Sequence, residues 1–454
     1  MKKLKKDSFF KSLLVIAVPI ALQNLISFSV GLADTYMLSL ADETDVFLSA
    51  SNLANKPIFI FSLLIFGLAS GGMVLASQYW GRKDIPAVRI IVSMILKIAI
   101  IMSVVFTVVV LSIPETIMRI FTSSPQIIAG GVEYLRIMGF AFMFMGVSAS
   151  LVCIFRSIEV VFISVITNLT SFVLNIFLNW VLIFGNLGAP ALGIRGAAIA
   201  TLVSRIAEFT IVVCFVFFID KKMSFRFKDI KLFDKLLFKD LVSYGSPVMI
   251  TEFLWAMAIS AQAAILGHIT YGAGDPVAAN SVVNTIQDIV IVVNLGVSSA
   301  AAVLVGKLIG ENKISDAKRR CTQLETISAL LGVLSFIVIF TTRDISVGLF
   351  SLRPETAELA KQMTVVLAVV SFFVSVATMY MIGTLRGAGD TKFCLTFETI
   401  ALWGIAIPLA MVMAFVFKLP AALVLVGMKL DEVIKAVGCF IRRRGDKWLN
   451  SVVR

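Results

Sequence analysis

A chain of 454 residues that is 59% apolar and only 15% charged does not fold in water, where about 25% charge is usual for a globular domain. Apolar stretches of 20 or more residues recur from Leu13 almost to Phe440, and the longest polar interval, Asp220 to Asp240, is too short for a soluble domain. The net charge of +12 therefore speaks for orientation in a bilayer, and nucleic acid drops out as a partner.

The chain opens MKKLKKDSFFKSLLVIAVPIALQNL, a basic segment before an apolar run. With no small-residue cleavage pattern it reads as a retained first helix and not a signal peptide. Apolar runs then predict twelve membrane helices, centred near Gln23, Leu64, Met102, Phe142, Phe172, Ala207, Trp255, Val292, Leu334, Phe373, Ile405 and Val426. Short turn-rich connections such as GRKDIP, GNLGAPALGIRG, YGAGDP and LRGAGDTK suit antiparallel neighbours. Roughly 27 Lys and Arg fall on the N-terminus, the even-numbered connections and the tail, against roughly 5 on the odd ones. That asymmetry places both termini in the cytoplasm and the acidic ADETDV loop after the first helix outside.

A shift of about 229 residues lays the second helix on the eighth. Ala50 then meets Ala279, Asn55 meets Asn284, Gly67 meets Gly296, Ser70 meets Ser299, Val74 meets Val303, Leu75 meets Leu304 and Gly81 meets Gly310. One residue less pairs Pro19 with Pro247, and one more pairs Arg156 with Arg386. The predicted fold is thus an all-α membrane protein of two pseudo-symmetric six-helix lobes, residues 1–219 and 242–454, joined by a cytoplasmic linker at 220–241. Six spans is an even number, so both copies enter the membrane in the same sense, and parallel repeats of this kind point to a transporter. The linker's SFRFKDIKLFDKLLFKDL reads as a short amphipathic surface helix or as a solvated connector, long enough to let the lobes rock.

Ionisable residues inside such helices cost at least about 2.5 kcal/mol each and so mark candidate sites. Asp34, in GLADTYML, has no neutralising neighbour in sequence. Asn175 and Asn179 lie four apart on the fifth helix, and Thr201 on the sixth offers a hydroxyl. Together they form an oxygen-rich set suited to Na+, with Asp34, Asn175 and Asn179 as ligands, or to a carboxyl that takes up and releases a proton. The competing reading is interhelical hydrogen bonding with no ion. In the second lobe Glu252, which the repeat offset sets opposite Asn24, and Gln287 and Asp288 are candidates to face an organic cation, unless the carboxylates pair with basic neighbours. Lys56, Lys97, Arg136, Arg205, Lys429 and Lys435 read as snorkelling or structurally paired. Pro19 and Pro247 remove a backbone donor at equivalent places and are candidate hinges. The 36 Phe and 18 Met suit an adaptable lining for flat cations, although most must face lipid or core. Five dispersed cysteines and a single histidine, His268, argue against metal centres and Ser-His-Asp catalysis, so no enzyme is expected.

These segments resemble a known family. P-I-A-L-Q-N followed by A-D-T, LASQYWGRKD, the N-x3-N-W helix with LGIRGAAIAT, LRGAGDTK, W-G-I-A-I-P-L and KLDEVIKA before RRRGDKW are together similar to multidrug and toxic compound extrusion (MATE) transporters of the NorM-like branch. The resemblance covers the whole chain. It implies an antiporter of the inner membrane that exports lipophilic cations against Na+ or H+ by alternating access, with no other cofactor and as a monomer among lipids. It implies a cation site at Asp34, Asn175, Asn179 and Thr201, and an acidic role for Glu252. The branch's tenth-helix aspartate is Ser375 in this chain, which moves the expected coupling to Asp34. Alternatives are a related flippase of lipid-linked saccharides, which would want cationic lining residues, and remotely an intramembrane aspartyl protease. The two GAGD segments, Gly272 to Asp275 and Gly387 to Asp390, fall at loop ends on opposite sides, unlike a carboxyl pair sharing one proton.

Overall fold

The computed structural model describes residues 2–41, 46–269, 271–350 and 352–452, with side chains from Phe9 onward. Most of the acidic loop after the first helix lies outside the described residues. The helices are α1 (Lys2–Ala41), α2 (Val46–Gly81), α3 (Ile85–Ser112), α4 (Pro114–Phe121), α5 (Pro125–Met138), α6 (Ala141–Ser157), α7 (Phe162–Phe184) and α8 (Ile194–Ile219). There follow α9 (Lys235–Gly267), α10 (Pro276–Gly310), α11 (Ile314–Gly348), α12 (Pro354–Arg386), α13 (Thr391–Val416), α14 (Ala421–Met428) and α15 (Leu430–Arg444). Ten of these are long and apolar enough to cross a membrane alone, and α5 with α6, bent by 55°, meet the same length and composition when taken together. The twelfth predicted span is α14 and α15, interrupted at Lys429.

The turn motifs start helices for a definite reason. Asp84 accepts from the Ala87 amide at 3.1 Å, and Asp275 accepts from Val277 and Ala278 at 2.8 and 3.1 Å. Each aspartate caps free amides, while a proline in the first turn occupies a place needing no donor. At the far end of α7, Gly185 adopts φ +76° and closes the helix, a conformation that costs little without a Cβ.

Cα packing divides the described chain into two compact units. Unit 1 holds residues 1–21, 77–83 and 250–454, and unit 2 holds 22–76 and 84–249. They differ from contiguous lobes because two leading helices are shared. The first half of α1 packs in unit 1, where a Cβ on Gly296 would lie 2.9 Å from the Ala17 carbonyl oxygen. The first half of α9 packs in unit 2, where a Cβ on Gly71 would lie 2.4 Å from the Gly245 Cα. The end of α2 joins unit 1 by equally close contact, with the Gly310 position 1.9 Å from the Gln78 carbonyl oxygen. Gln78 also holds the tail, donating to the Asn450 carbonyl at 3.2 Å and accepting from the Val452 amide at 2.9 Å.

The linker is helical only in part: Phe227–Lys231 forms a 3-10 segment, residues 235–241 are the opening turns of α9, and the stretch before them is bound to α3. Ser93 Oγ lies 2.7 and 2.8 Å from the carbonyls of Ile230 and Leu232, Lys97 Nζ reaches Leu232 at 2.7 Å, and Arg89 Nε reaches Met223 at 2.8 Å. Its free carbonyls find partners on α3, which satisfies them outside a helix.

Candidate functional site

The site in unit 2 begins with an inverted pattern on α7. Ser164, Thr167, Asn168, Ser171, Asn175 and Asn179 are all buried, while Leu169, Val173, Phe177 and Trp180 on the opposite side are 43–59% exposed. A spacing of three and four residues keeps polar groups on one face, and in a bilayer that face turns to neighbouring helices while the apolar one meets lipid.

At one end of the stripe the expected residues come together. Asn175 donates to Thr201 Oγ1 at 3.2 Å, Asn179 donates to Asn175 Oδ1 at 3.2 Å, and the same Asn179 amide donates to the Asp34 carboxylate. Asn179 is fully buried, and its own Oδ1 has no hydrogen-bond partner among the described residues. The charge of Arg205 reaches Asp34, but its direct ion pair, at 2.8 Å, is with Glu208. Asp34 has no ion pair of its own among the described residues. The result is a carboxylate, two amide oxygens and a hydroxyl with one acceptor left over, the chemistry of a site that takes a small hard cation or a proton.

Two contributors are absent from the sequence reading. The Tyr134 hydroxyl on α5 donates to Asn55 Oδ1 on α2 at 3.3 Å and also lies against Thr201 and within electrostatic reach of Asp34. Neither residue stands out from its neighbours in sequence; Asn55 was visible only as an identity with Asn284.

Unit 1 corrects the second set. Glu252, expected to face an organic cation, is 2.9 Å from Arg386 Nη1, with the two side chains 13% and 4% exposed. The pairing alternative is what forms. Its counterpart in unit 2 is Gln23, which accepts from Arg156, and not Asn24. One residue of register turns a helical side chain by about 100°, so the α2 and α10 offset governs this position too. Gln287 accepts from Lys429 at 3.1 Å, and neighbouring Asp288 is exposed. Glu252, Gln287 and Asp288 are therefore not gathered into one acidic surface. Ser375 is buried and accepts from Asn294 at 2.6 Å, a neutral pair at the place of the branch's aspartate. Pro19 and Pro247 lie inside unbroken helices, two residues before the ends of the segments at 21 and 249 where the units divide. Among the described residues no His, Cys, Asp and Glu group of three or more has metal-site geometry. Four of the five cysteines are buried and all are free.

Comparison with known proteins agrees with this frame. A probable multidrug resistance protein NorM of Thermotoga maritima is 25% identical over 98% of this chain and 94% of its own length. A probable multidrug resistance protein YoeA of Bacillus subtilis is 26% identical over 94% and 91%. A crystal structure of the eukaryotic MATE transporter AtDTX14 superposes with a TM-score of 0.82 over 97% of this chain and 96% of its own, at 20% identity. A MOP-superfamily transporter of Pyrococcus furiosus superposes with 0.86 over 96% and 95%, at 18% identity. The MatE family model matches twice, at residues 19–181 and 247–412, once on each copy of the repeat. The chain belongs to the MatE family of multi-pass membrane transporters.

Proposed function

We propose that this protein exports lipophilic organic cations in exchange for Na+ or H+ entering through the Asp34 site, by alternating access in the cytoplasmic membrane with both termini inside. The observation that carries the coupling is the Asn179 Oδ1, orphaned among the described residues, beside a carboxylate with no ion pair among them. A buried acceptor without a donor costs about 1–3 kcal/mol, and either coupling ion removes that cost. A proton on Asp34 turns the carboxyl into a donor that this oxygen can accept, and Na+ is coordinated by both groups. Either event also neutralises Asp34, whose charge is expensive within the bilayer. Binding and release of the ion thus change the stability of the polar contacts between α1 and α7, which is the differential interaction a coupled cycle requires. The names of the NorM and YoeA relatives and the duplicated, parallel-repeat chain support the efflux reading. Glu252 is not assigned to cargo, because its charge is already balanced by Arg386; of the two candidate carboxylates this leaves exposed Asp288 for that task.

The test is efflux of a fluorescent cation from proteoliposomes given a Na+ gradient alone and then a pH gradient alone. One of the two drives export by the wild type. Asp34→Asn is expected to lose at least tenfold of the driven rate while keeping its thermal midpoint; undiminished driven efflux by that variant would remove Asp34 from coupling.

A further inference from the structure

The repeat places two arginines at equivalent helix ends, Arg156 in the last turn of α6 and Arg386 at the end of α12. Both are buried, at 8% and 3% exposed. Arg386 has a carboxylate, Glu252, at 2.9 Å. Arg156 has an amide oxygen, that of Gln23. Among the described residues the Nε–H is buried without an acceptor in both arginines; what separates the two copies is charge, because no carboxylate among those residues pairs with Arg156. Gln23 and Glu252 are 229 residues apart, the offset that also aligns α2 with α10. One copy of the unit thus carries its own counter-charge, and the other presents the same guanidinium to a neutral group of nearly the same shape.

A guanidinium cannot shed its proton to escape burial, so its charge must be balanced from elsewhere. The carbonyls at the end of α6 contribute only a partial negative charge. Gln23 supplies one neutral acceptor to a planar fork of five donors, so it satisfies geometry at one nitrogen and leaves the charge itself without a counter-ion. We propose that Arg156 and Gln23 form a binding site for one small monovalent anionic group, either a chloride ion or the carboxylate of a zwitterionic cargo. The site lies in the same unit as Asp34 and eleven residues along α1 from it, about 16 Å for a helix. It is therefore separate from the cation site, and the proposal stands whether or not Asp34 couples transport.

The test uses the full-length protein in detergent and follows the thermal midpoint at constant ionic strength, with sodium isethionate as the weakly coordinating reference salt. Sodium chloride or sodium benzoate replaces it stepwise. The wild type is expected to show a saturable rise of about 1 °C when the anion stands at roughly five times its Kd, and about 2 °C at roughly thirty times. Gln23→Glu, which installs the carboxylate found in the other copy, is expected to start higher and not respond. Arg156→Gln, which removes the charge altogether, is also expected not to respond. A response to chloride assigns the site to the inorganic ion, and a response to benzoate alone assigns it to a carboxylate-bearing cargo. A wild type indifferent to both overturns the proposal even if neither variant folds. So does a Gln23→Glu protein that responds as the wild type does, or a rise seen only on adding phosphatidylglycerol.

Discussion

Asn179 donates twice from one amide, to Asp34 and to Asn175 Oδ1. Asn179→Leu is expected to remove both bonds and to weaken the apparent affinity for the coupling ion at least tenfold in gradient titrations of efflux. Glu252 and Arg386 belong to a different class of contact. Removing one partner of a buried ion pair strands the other, at about 3–5 kcal/mol. Glu252→Gln is therefore expected to lower the thermal midpoint strongly, with cationic and neutral cargo affected alike; Glu252→Met with Arg386→Met is expected to recover most of the loss. At this scale the sequence was partly legible. Asn175 and Asn179 stood out because four residues is one helical turn, and Asp34 because a carboxylate in an apolar run has no local explanation. The partners of Asp34 in space were inferred from residue type alone, whereas Tyr134, Asn55 and the Glu252–Arg386 pair join residues 79 to 134 apart, a separation that no periodicity encodes.

Among the helices, small residues decide where backbones touch. Gly67–Gly71 and Gly306–Gly310 carry the four-residue spacing that lets backbones approach closely, and the structure gives each a partner. Gly71 faces Gly245 of α9, and Gly310 faces the Gln78 carbonyl. Gly71→Ala is expected to lower stability by about 1–3 kcal/mol, because a backbone and not a flexible side chain must yield. Gly31→Ala, where nothing among the described residues lies within 4 Å, is expected to be neutral or to gain up to about 1 kcal/mol. Thermal unfolding of the two variants in one detergent checks the contrast. The break at Lys429 and the wide π-type turns in α12 and α13 were not legible, because mean hydropathy continues through them. The linker was legible only in its last part: from Lys235 it is helical, while before that α3 presents Ser93, Lys97 and Arg89 to bind its carbonyls directly.

At the scale of the molecule, the even span count and the repeat offset were sufficient to read the duplication. They were not sufficient to find where the units divide, since hydropathy cannot tell which half of a continuous helix packs against which neighbour. The division falls just beyond Pro19 in α1 and just beyond Pro247 in α9. If these are the points of bending, Pro19→Ala and Pro247→Ala are expected to slow efflux several-fold while cargo affinity stays within twofold. Equilibrium fluorescence binding and initial transport rates in proteoliposomes separate the two effects. Unchanged rates in both variants would leave the prolines as ordinary features of membrane helices.

The exchange of leading half-helices bears on how such a chain arose and how it is made. A six-helix ancestor, before duplication, would have had to lend its first arm to a second copy and borrow one in return, as domain-swapped dimers do. During synthesis the same debt persists: the amino-terminal half leaves the ribosome without Lys235–Met249 to cover Gly67 and Gly71 of α2, and holds its own arm open for α10, which does not yet exist.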